Sequence, residues 1–273
     1  MSRRVALATC AEMPAGDEDF PILIGELAER GVTADTVVWD DPDVNWSRYD
    51  LVLPRSTWDY AERRDEFLRW ARSVPRVLNP APLLEWNTDK QRYVSDIAAA
   101  GVPVVPTVFV DPADELEPPE EPFVVKPAVS AGGRRSARFE PSEIDAAREL
   151  VGRIHSVGCT AMVQPYLGDA VETGLISIDG RYSHAVCRRV PLPQAGEREV
   201  LYLDEQLAPA TPTQADRAVA DAALACAGAD LLYGRVDLMD GIVLELEIAE
   251  PSLYLAYDES AAGRFATAIM RRI

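Results

Sequence analysis

Phe123-Val124-Val125-Lys126-Pro127 reads as a short strand, and Ala128-Val129-Ser130-Ala131-Gly132-Gly133 follows it as a loop ending in a glycine pair. A strand-end ammonium beside flexible glycine backbone suits phosphate oxygens, because amide N–H groups and the lysine converge on one anion. The order G-x-x-x-x-G-K-[ST] is absent, which excludes a P-loop. The competing reading is an ordinary hairpin with a surface lysine, so the rest of the chain has to decide.

Composition sharpens the question. Of the 27 basic residues only Lys90 and Lys126 are lysine and 25 are arginine. A chain that uses arginine wherever a surface cation suffices keeps lysine where a compact ammonium is needed. The 273 residues carry a net charge of −18 with 48% hydrophobic content. That makes a globular chain of one large or two small domains. A pI near 4.5 argues against nucleic acid or an anionic membrane as partner, since both need clustered positive charge. No apolar run reaches the ~18 residues of a membrane span, and Met1-Ser2-Arg3-Arg4 leads into strand-like Val5–Ala8 rather than a signal-peptide core, so a cytoplasmic location is expected. The four cysteines are scattered without a C-x-x-C pair, and only two histidines exist. Neither a zinc site nor a histidine-based hydrolase is indicated.

Working outward, Val5–Thr9, Thr36–Trp39, Leu51–Pro54 and Arg76–Asn79 read as strands, with helices over Asp19–Arg30 and Tyr60–Arg72. This is a small doubly wound α/β unit over residues 1–85, closed by the Pro80-Ala81-Pro82 break. Arg55-Ser56-Thr57 sits at the carboxyl end of its third strand, where such sheets place ligands. Residues 86–165 form an α+β module: a helix over Asp89–Ala100 capped by Thr88, strands Val104–Val110, Phe123–Lys126, Arg134–Phe139 and Ala161–Gln164, and a helix from Ser142 to His155. Residues 166–273 continue with strands Glu172–Ile178, Arg181–Val190, Gly234–Met239 and Ile242–Ala249, hinged at Asp179-Gly180 and Asp240-Gly241. Helices over Gln214–Ala227 and Asp258–Arg272 complete the reading.

A second constellation lies in the last hairpin. Asp237 falls on one strand and Glu245 and Glu247 on the other, with Glu250 just beyond. Alternation puts Glu245 and Glu247 on one face. Carboxylates packed there repel unless a cation intervenes, and oxygen ligands without histidine suit Mg²⁺ shared with phosphates. The alternative is a solvated acidic strand face.

In this order the features resemble the ATP-grasp superfamily from about Asn87 to Leu255. The resemblance implies an ATP-grasp fold: a Rossmann-like α/β unit, a small nucleotide-covering module and a C-terminal antiparallel sheet. Lys90 and Lys126 fall on the family's two phosphate-binding lysine positions, and Gly132-Gly133 on its closing loop. Met162-Val163-Gln164-Pro165-Tyr166-Leu167 matches the hinge whose backbone reads adenine, and Glu172 the acid that takes the ribose hydroxyls. Arg235-Val236-Asp237 matches an arginine two residues before a metal-binding aspartate. Aligning Glu247 with the family's metal-bridging glutamate leaves Ala249 where asparagine is expected, so Glu245 or Glu250 must substitute, and Glu250 is preferred.

The implied chemistry is ATP- and Mg²⁺-dependent amide formation between a carboxylate and an amine through an acylphosphate, with ADP and phosphate released. Lys126 and Arg235 would be catalytic. Arg188 or its neighbour Arg189 would give a further phosphate contact. Arg55, Ser56, Thr57 and Ser252 would bind a small amino-acid-like substrate. The short chain resembles the compact glutathione-synthetase-like ligases, among them members that close D-cycloserine from an ureido-serine precursor. A non-catalytic ATP-binding module and a small-molecule kinase are the rival classes, and the reading leaves room for a homodimer.

Overall fold

The computed structural model describes residues 3–112, 116–168, 171–189, 206–228 and 230–273. Three sheets organise them. The first has the order β2-β1-β3, all parallel, from β1 (Arg3–Thr9), β2 (Val32–Val38) and β3 (Leu51–Ser56). Alternate residues of β1 face opposite ways. Val5 and Leu7 pack on α1 (Asp19–Glu29) and α7 (Ala261–Met270), through Phe20, Leu23, Phe265 and Ile269. Ala6 and Ala8 pack toward Trp39, Phe67 and Trp70, the last two on α2 (Arg64–Ser73). Both faces of the parallel sheet are therefore covered, which explains its continuous apolar run.

The second sheet has the order β4-β7-β5-β6, from β4 (Val108–Val110), β5 (Phe123–Pro127), β6 (Ala137–Phe139) and β7 (Ala161–Pro165), with α5 (Ile144–Ser156) packed on it. The third has the order β10-β9-β8-β11-β12 and is antiparallel throughout. It comprises β8 (Glu172–Ile178), β9 (Arg181–Arg189), β10 (Gln206–Pro209), β11 (Tyr233–Met239) and β12 (Ile242–Glu247). The two expected hairpin turns are present. Asp179-Gly180 and Asp240-Gly241 all have positive φ, the backbone that a tight two-residue turn requires. Helix α6 (Gln214–Ala225) lies on this sheet, capped reciprocally by Thr213 and Asp216.

Several local expectations are corrected. A helix not anticipated, α3 (Ala81–Asn87), starts inside the proline break; Pro82 sits in its first turn, where a missing N–H costs nothing. Arg76–Asn79 is joined to β3 only by the bridge Val52–Val77. Tyr60–Arg72 divides into a 3-10 turn over Trp58–Glu62 and α2. Asp89, not Thr88, caps α4 (Lys90–Ala99), accepting from Gln91 N at 3.1 Å. Glu140, two residues before Ser142, makes a capping box with Glu143 ahead of α5. The strand expected over Val104–Val110 keeps only its last three residues, because Val104 first pairs with Val243 of β12. Similarly, only Ala137–Phe139 of Arg134–Phe139 is strand, α6 stops at Ala225, and β12 ends at Glu247. The expected end of a strand at Val190 lies outside the described residues.

Packing also crosses the sequence divisions. Helix α4 joins the core of β11, β12 and α6 through Tyr93, Val94 and Ile97, and α7 closes the first sheet. Among the described residues no helix is long and apolar enough to cross a membrane.

Candidate active site

The β11–β12 hairpin positions the acids. A two-residue turn pairs Met239 with Ile242 and Leu238 with Val243. Continued without interruption, that register would turn Glu245 and Glu247 to the face opposite Asp237. A bulge between Asp237 and Leu238 shifts it by one, so Asp237 faces Glu245 and Arg235 faces Glu247. Carboxylate oxygens of Asp237, Glu245 and Glu247 consequently lie within 4.8 Å of one another. Gly174 of β8 pairs with Asp237, and a Cβ there would stand 3.0 Å from Asp237 Oδ1, so glycine is what lets the carboxylate sit against the sheet.

Arginines hold this face together. Arg235 donates from Nε to Asp237 Oδ1 at 2.9 Å and from Nη2 to Glu247 Oε1 at 2.5 Å. Arg188 is buried and reaches Asp237 Oδ2 at 3.2 Å, Tyr254 OH at 2.8 Å, and Glu172 Oε1 from Nε at 2.9 Å. Its neighbour Arg189 is exposed, so the choice left open between them falls to Arg188. Burial pushes Glu172 and Glu247 each up to about 7, against the pull of Arg188 and Arg235 respectively.

The two lysines arrive from other elements. Lys90, at the start of α4, is buried, where a nucleotide-binding lysine is expected to be partly exposed. Its ammonium pairs with Glu245 Oε1 at 3.0 Å and donates to Ser130 O at 2.9 Å. Burial works against ionised Glu245, yet Lys90 and Lys126 hold it down to about 2. Lys126 on β5 has no hydrogen-bond or ion-pair partner among the described residues. Burial lowers its pKa, and the acids Glu245, Glu172 and Asp237 oppose that. An uncompensated ammonium facing a carboxylate cluster leaves room for an anion between them.

Lys90 N also bonds Ala128 O, and Arg134 pairs with Glu62 at 2.7 Å, so both ends of the glycine loop are anchored. Gly132 and Gly133 both have positive φ. On the hinge, Gln164 is buried and donates to Thr107 Oγ1, Pro165 has no N–H, and Tyr166 N donates to Pro122 O. The Leu167 amide has no partner among the described residues.

Arg55, Ser56 and Thr57, expected to line a substrate pocket, are sealed. Each is at most 1% exposed. Arg55 donates from Nη2 to Pro251 O at 2.7 Å, lies 3.7 Å from Asp19, and covers the Tyr233 ring at 4.9 Å. It belongs to a set of clamps on the loop after β12. Four consecutive carbonyls, Glu250 to Leu253, accept in turn from Trp58 Nε1, Arg55, Arg235 and His184. Asp19 accepts from Leu253 N at 2.8 Å and Leu255 N at 2.7 Å. Between them Tyr254 is held at φ +51°, a strained region for a bulky residue. Ser252 is the partly exposed residue of this wall, and its amide has no partner among the described residues.

Comparison with known proteins agrees with this arrangement. The cycloserine biosynthesis protein DcsG of Streptomyces lavendulae is 38% identical, over 98% of this chain and 98% of its own. The chain belongs to the DcsG family of ATP-grasp ligases. A family model for the N-terminal domain of D-cycloserine synthetase DcsG matches residues 5–79. The crystal structure of D-cycloserine synthetase DcsG superposes with a TM-score of 0.88 at 35% identity, covering 98% of this chain and 99% of that one. The fold also matches D-alanine–D-alanine ligase from Bacillus anthracis complexed with ATP, with a TM-score of 0.67 at 16% identity over 99% and 97% of the two chains.

Membership makes the chain an ATP-dependent ligase that forms a C–N bond, and ATP and Mg²⁺ are typical of the family. Within the ATP-grasp frame one residue assignment changes. The acid trio contains Glu245 and not Glu250. Glu245 and Glu247 thus share the cluster with Asp237, while Ala249 is buried against the first sheet's core. Glu250 is buried apart from the trio, pushed up to about 8 by burial and by Glu247. Sequence reasoning also missed Asp19, Asn87 and His184. Asn87 Oδ1 accepts from Ile248 N and Ala249 N while its Nδ2 donates to Leu246 O, fixing the end of β12. No motif marks these residues, because each acts on backbone far away in sequence.

Proposed function

We propose that this chain is a D-cycloserine-synthetase-type enzyme: it phosphorylates the carboxylate of a small amino-acid-like substrate and closes it onto an amine of the same molecule. The observation that carries the reading is the Asp237–Glu245–Glu247 trio facing Lys126, which has no hydrogen-bond or ion-pair partner among the described residues. Whole-length similarity to DcsG supports the substrate class.

The trio is an all-oxygen donor set, which fits Mg²⁺. Bound there, the metal would neutralise charge on the β- and γ-phosphates. Lys126 and Lys90 bind phosphate oxygens, with Lys90 exchanging part of its contact with Glu245. Both Arg188 bonds to Glu172 go to Oε1, which leaves Oε2 for the ribose hydroxyls. On the hinge the Leu167 amide is the donor for adenine. Gly132 and Gly133 cover the phosphates and exclude water that would hydrolyse an acylphosphate.

Arg235 and the Ser252 amide stabilise the oxyanion formed as the amine attacks. The four clamped carbonyls keep that amide in place, which is the preorganisation such stabilisation needs. A complete acid trio favours a catalytic chain over a non-catalytic ATP-binding module. We take residues 1–85, 86–165 and 166–273 as the three parts, and a cytoplasmic location supplies the ATP.

Incubation with Mg²⁺-ATP and an O-ureido-serine of each configuration tests the reading, with nucleotides and products resolved by chromatography and mass. ADP with a cyclised product is expected. AMP as main product, or a linear amide formed only with an added amine, would sink it.

A further inference from the structure

A cavity of about 580 Å³ lies away from these residues, between α1, the β8–β9 hairpin and α7. Four arginines line it, Arg30, Arg181, Arg264 and Arg271, in a chain of net charge −18. Three of them meet carboxylates: Arg30 with Glu26 at 2.5 Å, Arg264 with Asp258 at 2.7 Å and Arg271 with Asp179 at 2.8 Å. Surface pairs of this kind are weak and exchange readily for a better anion. Arg181 is exposed and has no partner among the described residues. Ile178 and Tyr182 give the cavity an apolar side.

The same cavity connects to the substrate wall. Arg264 Nε donates to Ser183 Oγ at 2.9 Å, Ser183 Oγ lies 2.9 Å from His184 Nδ1, and His184 Nε2 lies 2.8 Å from Leu253 O. With the proton of a neutral imidazole on Nε2, every link donates in the same direction, from the cavity to the loop. Leu253 stands between Ser252 and Tyr254, so its carbonyl sets the position of both.

We propose that this cavity is an effector site for a small dianionic phosphoryl compound, coupled through Arg264, Ser183 and His184 to the loop over residues 251–255. The anion adds Arg181 as a new partner and competes with Ser183 for the Arg264 guanidinium. Ser183 then loses its donor, and the grip of His184 on Leu253 O changes. The inference does not need the chain to turn over any substrate, so it stands or falls apart from the ligase reading.

Calorimetry on the full chain at constant ionic strength, with inorganic phosphate and with glycerol 3-phosphate, tests the binding. Saturable binding that is roughly tenfold weaker in Arg181→Ala is expected, the change for one charge-assisted hydrogen bond. Tighter inorganic phosphate would identify a free anion as the effector, and tighter glycerol 3-phosphate a phosphate ester. Amide hydrogen exchange at Leu253 and Leu255 reads the coupling: it should change on anion binding in the parent and not in Ser183→Ala, which should still bind. No saturable binding of either anion, binding indifferent to Arg181→Ala, or an exchange response that survives Ser183→Ala would each overturn the proposal.

Discussion

The acidic hairpin face and the Arg55–Thr57 strip make the same impression in sequence, charged and polar residues at strand positions where ligands bind, yet the structure treats them oppositely. On the hairpin, Glu245 and Glu247 side chains keep about a quarter of their surface exposed, 23% and 26%, beside a lysine with no hydrogen-bond or ion-pair partner among the described residues. On the strip every residue is sealed, and the guanidinium of Arg55 meets Pro251 O, Asp19 and two aromatic rings, with Nη1 buried and without a hydrogen-bond partner among the described residues. One region presents chemistry and the other fixes the backbone that chemistry leans on. Polarity at the carboxyl end of a strand identifies a site only when the group is left unsatisfied toward solvent.

The largest effects should come from the hairpin. Asp237→Asn and Glu245→Gln are each expected to lower kcat roughly 100-fold or more while the fold persists, as measured by ADP release across a Mg²⁺ titration. Glu250→Gln should stay within a few-fold of the parent, because Glu250 lies outside the acid trio and burial and Glu247 already disfavour its charged form. A Glu250→Gln enzyme as dead as Glu245→Gln would return Glu250 to the metal site and break the comparison.

The strip should answer in stability instead. Arg55→Ala removes the donor to Pro251 O and the companion of buried Asp19, at a cost of about 3 kcal/mol, or roughly 6–12 °C in Tm for a chain of this size. A substrate-binding arginine would give the other pattern, a raised KM with Tm unchanged. Thr57→Val is the smaller version of the same test. The Thr57 hydroxyl is buried without a hydrogen-bond partner among the described residues, so its isosteric loss should leave kcat and KM unchanged and leave Tm unchanged or slightly higher.

The contrast also explains how much was legible. The periodic parts of the fold, the hairpin turns and the two lysines follow from local chemistry that a sequence displays. The bulge opposite Asp237 and Leu238 does not, since nothing in Asp237–Glu245 shows that Leu244 will go unpaired, and that one residue decides whether Glu245 and Glu247 share a face with Asp237. Asp19, Asn79 and Asn87 were invisible for a related reason. Their partners are backbone groups 150 residues or more away, Leu253, Leu232 and Leu246 among them, and backbone partners leave no trace in side-chain pattern.

The smallest expected effect concerns His184, the clamp on Leu253 O. Burial lowers its pKa below the ordinary histidine value, with Asp258 raising it and Arg264 lowering it further. Above that ordinary value, about 6.5, the imidazole is neutral in both folded and unfolded chains and pH has no leverage through it. As pH falls through about 6.5 the unfolded chain takes up the proton first, so stability is lost; the loss stops growing once pH passes below the folded value. His184→Gln can still donate to Leu253 O but cannot titrate. Chemical denaturation of parent and variant from pH 8 to pH 5 should therefore show the parent losing stability relative to the variant on acidification. Parallel curves would mean that the imidazole is already solvated at the wall, and that the sealed half of the comparison is more open at His184 than at Arg55.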